Sequence, residues 1–197
     1  YYAGFMIFNS ITFILFFVLV VLFFYCLPLK CRWLWMVATS IFFYCYTKPI
    51  YIIVPVFITI VTYFAALQLQ KTTTEKKAGL IFLMAIITNI GLLIFFKYTN
   101  FFSNTLVDVF NIFSGSDKKI SNSFLLNIAA PLGISYITFQ AIGYLVEVKK
   151  GHQQAETHLG HFSAYLLFFP KIIAGPVERA HNFLPQLKIL KPLQYDD

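Results

Sequence analysis

Charge is scarce in this 197-residue sequence: Lys and Arg number 15, Asp and Glu 8, together 12% of the chain. Against that stand 59% hydrophobic residues and a mean hydropathy of +0.74. A water-soluble domain of this length cannot hide so much apolar surface, so the bilayer is the natural solvent. Cysteine is equally sparse. Cys26, Cys31 and Cys45 form no CxxC, are odd in number and lie in or near apolar runs. They read as inert small hydrophobes and say little about redox compartment. No GxSxG and no GxxxxGK[ST] is present, which removes the nucleophile-elbow hydrolases and the phosphate-cradling loops. The apolar runs carry no paired carboxylates for acid–base work. The formal charge of +7 comes without any RNP-like, zinc-finger or helix-turn-helix pattern, so it does not indicate nucleic acid. Internal repeats are absent, which counts against a transporter built from inverted halves. The first apolar run lacks a basic leader and a small-residue cleavage site, and further spans follow it, so it does not read convincingly as a cleaved signal peptide.

What the sequence has in abundance is Phe (24) and Tyr (12), which suit interfacial belts. The pattern predicts an all-α, polytopic transmembrane bundle. A first span covers Ser10–Leu29, ended by Pro28 and the Lys30/Arg32 pair, and a short aromatic one covers Trp33–Tyr46. A third covers Ile50–Leu69, with Pro55 in its first turns, where a missing N–H costs little. After the polar loop Gln70–Gly79 a fourth covers Leu80–Phe96, with Asn89 near its middle as interhelical glue. Lys97–Asn100 closes it, Phe101–Phe113 reads as a separate interfacial helix, and Ser114–Ser123 as a loop. A fifth span runs from Pro131, placed at the helix start, to Val146. The hydrophilic loop His152–His158 leads to the apolar segment Leu159–Phe169. With Ile172–Val177 that segment forms a kinked or re-entrant element, and Arg179–Asp197 is amphipathic to polar. The Lys/Arg distribution favours an outside N-terminus. Met6 reads as a natural start, with Tyr1–Phe5 an upstream extension.

Two segments put Pro, Gly and polar side chains against apolar runs: PLGISYITFQ (Pro131–Gln140) and FFPKIIAGPVER (Phe168–Arg179). In lipid, a broken helix survives only where it is buried in protein or lines a wet cavity. Tyr136 and Gln140 share a helix face by their spacing. Lys171 and Arg179 can counter an anionic group, and Gly175 allows close backbone approach. Cavity wall and structural kink are equal readings of these residues. The candidate lining residues are Gln140, Lys171, Gly175 and Arg179. Glu178 beside Arg179 reads as an interfacial ion pair of little energy. His158 and His161 have i,i+3 spacing, but no third ligand accompanies them, so His152, His158, His161 and His181 read as solvated interfacial residues and no metal site is expected.

Four stretches, Met6–Phe17, Ser40–Ile52, Asn89–Phe102 and Pro131–Leu187, together resemble the membrane-bound O-acyltransferase family. The likeness is greatest to its bacterial branch for alginate and other polysaccharide O-acetylation. The resemblance implies one membrane domain over residues 1–197, multi-pass in a bacterial inner membrane, forming the N-terminal part of an enzyme about twice as long. It implies a tunnel in which an acyl group, typically acetyl, passes from a cytoplasmic thioester (acetyl-CoA or an acyl carrier) to hydroxyls of an exported polysaccharide, with partner acetyltransferase proteins completing transfer. The family's catalytic histidine is expected downstream of Asp197, so no catalytic residue and no bound cofactor is assigned here, and the piece alone is expected to be inactive. Alternatives are D-alanyl transfer to teichoic acid within the same family, a transporter, or a non-catalytic membrane scaffold.

Overall fold

The structure is a computed structural model and describes residues 10–47, 49–114, 131–175 and 178–188. The described residues form eight α-helices and one 3-10 turn and contain no strand, as the all-α reading requires. Residues 1–9, 48, 115–130, 176–177 and 189–197 lie outside the described residues. With them lie the expected start at Met6, most of the Ser114–Ser123 loop and the end of the amphipathic tail.

Helix α1 spans Ile11–Cys26 and α2 spans Leu29–Thr47. The Ser10 hydroxyl starts α1 by accepting the Phe13 N–H at 3.1 Å. Pro28 stops it three residues short of the expected Leu29. The Lys30/Arg32 pair is not a loop. It sits in the first turn of α2, which begins four residues before the expected Trp33 because nothing between Leu29 and Trp33 breaks a helix. Arg32 is only 6% exposed, and its guanidinium donates to the carbonyls of Leu27 (3.2 Å) and Tyr25 (3.4 Å). It satisfies carbonyls that the end of α1 leaves open, with its charge over the rings of Phe24 and Tyr25.

A 3-10 turn, Pro49–Ile52, leads into α3 (Ile53–Lys71), with Pro55 in its first turn as expected. Val54, Ile58, Thr62, Ala65, Ala66 and Leu69 form its buried stripe, three or four residues apart for the most part. The fourth span differs most from expectation. Helix α4 runs unbroken over Glu75–Ser114, 40 residues. At about 1.5 Å per residue it is about 60 Å long, twice a hydrocarbon core of about 30 Å. Lys97–Asn100 does not end it, because polarity alone does not break a helix and no Pro or Gly lies there. Phe101–Phe113 therefore continues α4 instead of forming a separate helix. Two helical stretches, Pro49–Lys71 and Glu75–Thr99, are long and apolar enough to cross a membrane. Leu80, Leu83, Met84, Ile87, Ile94 and Phe95 stand exposed on the second.

Helix α5 spans Ile134–Lys149. Pro131 is in the turn before it, not at its first position. Gly133 forms the entry with φ +68°, a conformation that disfavours any side chain. A Cβ on Gly133 would also overlap the Ile172 side chain, so the two interrupted segments meet there. Helices α6 (Leu159–Leu167), α7 (Phe169–Ala174) and α8 (Ala180–Lys188) follow, with the expected kink at Phe168–Pro170. The core joins α3, α4, α5, α6 and α8 around Tyr144, Phe162 and Tyr165. The Tyr144 and Phe162 ring centroids lie 4.8 Å apart.

The loop expected to be merely hydrophilic, His152–His158, is docked. Ala155 N–H donates to Gln70 Oε1 (2.8 Å), Glu156 N–H to the Tyr144 hydroxyl (2.8 Å), and the Tyr63 hydroxyl to the Thr157 carbonyl. Glu156 is 4% exposed, and its carboxylate pairs with Lys188 at 2.7 Å. These contacts, with Trp33 packed on His158, bring the α1–α2 turn, the α3–α4 turn, the end of α5 and the end of α8 to one end of the bundle. Lys30, Lys71, Lys76, Lys77, Lys149, Lys150 and Lys188 gather there.

Candidate functional site

One face of α5 carries Gln140, Gly143, Tyr144 and Glu147, at i, i+3, i+4 and i+7. They form a wall of a cleft of about 420 Å³, which Tyr165 of α6, Glu178, Arg179, Lys150 and His152 complete. A Cβ on Gly143 would meet no atom within 4 Å, so this position keeps the cleft open.

Gln140 is 1% exposed. Its Nε2 donates to the Tyr165 carbonyl at 3.1 Å, near the end of α6, where the kink begins. Its Oε1 is buried without a hydrogen-bond partner. The Glu147 Oε1 lies 3.4 Å from His181 Nδ1 and 3.9 Å from Arg179 Nε, while its Oε2 is buried without a partner. Two acceptors therefore await donors beside a polar cleft, and buried acceptors of this kind are normally satisfied by water or ligand.

Of the four candidate residues, Gln140 and Arg179 line this cleft. Lys171 stands behind it, paired with Glu178 and with its ammonium 3.5 Å from the Phe183 ring centroid. Gly175 is not among the lining residues. Its N–H donates to the Lys171 carbonyl at 2.8 Å and closes α7, and a Cβ there would lie 2.8 Å from Lys171 Cα. The neighbouring acid and base do not pair with each other as sequence adjacency suggests: Glu178 turns to Lys171 and Arg179 to Glu147.

Sequence reasoning missed Glu147, taken as the end of a span, and Tyr165, taken as part of an apolar run. For Glu147 the signal was available, since it lies two turns beyond Gln140 on one helix face. His158 and His161 behave as structural groups. His158 caps α6 by accepting the His161 N–H on Nδ1 (3.2 Å), and its ring packs on that of His161. Among the described residues no cluster of His, Cys, Asp and Glu could hold a metal ion.

Over 179 residues the chain is 31% identical to the peptidoglycan O-acetyltransferase of Helicobacter pylori, a match covering 79% of this chain and 32% of that protein. Over 183 residues it is 28% identical to the "Probable alginate O-acetylase" of Pseudomonas aeruginosa, covering 92% of this chain and 34% of that protein. A stretch of 52 residues is 42% identical to the teichoic acid D-alanyltransferase of Streptococcus thermophilus, covering 26% of this chain and 12% of that protein. The chain thus spans about a third of the length of the first two relatives. No protein-family model matches it, and no solved structure matches it significantly. The likeness extends over most of the chain in several O-acetylating relatives and reaches the D-alanyl branch as well; the chain belongs to the membrane-bound O-acyltransferase family.

Proposed function

We propose that this chain is part of a multi-pass inner-membrane enzyme that transfers an acyl group, acetyl in the first instance, to hydroxyls of an exported polysaccharide. The observation that carries the reading is the 31% identity to a peptidoglycan O-acetyltransferase across 79% of the chain. The gathering of lysines at one end supports an orientation with that end, and the mouth of the cleft beside Lys150 and His152, towards the cytoplasm. A thioester donor would then approach from that side. The acceptor hydroxyl would need a general base to attack the acyl carbon. None of the described histidines is assigned that role: His158 and His161 are engaged in capping and packing, and His181 leans on Glu147. The base would lie in a part of the intact enzyme outside these 197 residues. Partner acetyltransferase proteins would complete delivery.

A second reading, D-alanyl transfer to teichoic acid, is supported by the 42% identity over 52 residues. The test is turnover by the full-length protein in membranes, given labelled acetyl thioester or labelled D-alanyl thioester with each class of acceptor. Acetyl transfer to a glycan supports the first reading. D-alanyl transfer alone replaces it with the second, and transfer from neither donor overturns both.

A further inference from the structure

We propose that the recess at the α1–α2 turn holds the headgroup of an anionic phospholipid. This site is separate from the α5 cleft and independent of the acyl-transfer reading. The recess measures about 460 Å³ and is lined by Leu29, Lys30, Trp33, His161, Leu187 and Lys188. Cations and apolar walls alternate around it, which is the pairing an amphiphile requires and a soluble anion does not.

The charge is real but modest. Lys188 shares its ammonium with the Glu156 carboxylate at 2.7 Å and is half-exposed, so part of its donor capacity still faces outward. Lys30 is exposed and has no acidic partner among the described residues. His161 Nδ1 is left without a hydrogen-bond partner. The walls are built, not incidental. Trp33 lies across the start of α6, 5.0 Å from the His158 ring centroid and 5.9 Å from that of His161, and only a glycine at 160 leaves room for its ring. Trp33 and Leu187 belong to a packed cluster with Phe24, Met36 and Phe168. The last three line a second, almost wholly apolar recess of about 300 Å³ that can receive part of an acyl chain.

Position selects a lipid over a soluble anion. The recess lies where α1 ends, and α1 presents Leu15, Leu19, Leu22 and Phe23 outward just before it. It also shares the end of the bundle where the lysines gather. Basic recesses between helices on the cytoplasmic side, next to an aromatic anchor, suit anionic headgroups.

The full-length protein, purified in neutral detergent, is titrated with fluorescent phosphatidylglycerol and with the matching phosphatidylcholine. The expected result is at least about ten-fold tighter binding of phosphatidylglycerol. Lys30→Glu should abolish that preference, whereas Lys76→Glu, an exposed lysine at the same end, should retain it. Lys188 is left intact because its pair with Glu156 holds α8. Equal binding of the two lipids, or equal effects of the two charge reversals, overturns the proposal in favour of no site or a diffuse field. Displacement of phosphatidylglycerol by millimolar inorganic phosphate overturns it in favour of a soluble-anion site.

Discussion

Phe169 donates its backbone N–H to the Ser40 hydroxyl oxygen at 3.2 Å, in a place where Ser40 is 1% exposed and Phe169 is fully buried. The same hydroxyl donates to the Met36 carbonyl at 2.7 Å. A helix broken between Leu167 and Phe169 leaves an N–H with no partner of its own, and α2 supplies one. This is how the kink persists beside apolar surroundings.

The first prediction follows from that bond. Ser40→Val should destabilise the full-length protein by about 1–3 kcal/mol, the cost of a buried donor left unmade. Ser40→Thr keeps the hydroxyl and should recover most of the loss. Thermal unfolding in detergent reads both. Equal losses for the two variants would mean that volume, not the hydrogen bond, matters at this position.

A second prediction concerns Asn89, whose Nδ2 donates to Thr62 Oγ1 at 3.3 Å between α4 and α3, with both side chains buried. Interhelical hydrogen bonds in membranes are weak because the unfolded reference also finds partners. A double-mutant cycle with Asn89→Leu and Thr62→Val should give a coupling of about 0.5–1.5 kcal/mol. A coupling near zero would detach Asn89 from interhelical packing and leave its buried amide without a structural role.

The sequence made the helical class, the membrane solvent, the Asn89 contact and the Phe168–Pro170 kink legible, because hydropathy, amide placement and proline act locally. It misplaced Arg32 and the end of the fourth span. Arg32 looked like an orientation signal, yet its long side chain reaches back to cap α1, a contact that depends on how two helices pack. Lys97–Asn100 looked like a boundary, yet four polar residues without Pro or Gly cost a helix little. The cleft was half legible. Gln140 and Arg179 were singled out as polar groups near broken segments, and Glu147 could have been read from its seven-residue spacing to Gln140 on one helix face, while Tyr165 enters only through the pairing of α5 with α6. The burial of Glu156 was not legible at all, since its partners Tyr144, His158 and Lys188 come from three separate elements.

A third prediction separates cleft chemistry from stability. Glu147→Gln keeps the shape of the side chain and removes the charge that faces His181 and Arg179. Arg179 is 74% exposed in its side chain, so the lost ion pair should cost well under about 1 kcal/mol of stability. If the cleft binds a reactant, kcat/KM for acyl transfer should fall about ten-fold at an unchanged melting temperature. Unaltered turnover would remove Glu147 from the reaction, and a matching loss of stability would make its role structural.

The last prediction tests the junction of the two interrupted segments. Gly133 has φ +68°, and an added Cβ would overlap Ile172 Cγ2. Gly133→Ala should therefore destabilise by about 2–4 kcal/mol, combining backbone strain with overpacking. The two causes can be separated. Ile172→Ala removes the offending methyl group and has its own cavity cost, so the informative quantity is the effect of Gly133→Ala measured in that background. There it should shrink to about 1–2 kcal/mol, the strain alone. Ile172→Val retains a γ-methyl at that position and should give little relief. A Gly133→Ala penalty that is the same in all three backgrounds would show that the conformation, not the contact with α7, fixes the glycine. Relief by Ile172→Ala alone would show that PLG and FPKII are held together through this one contact.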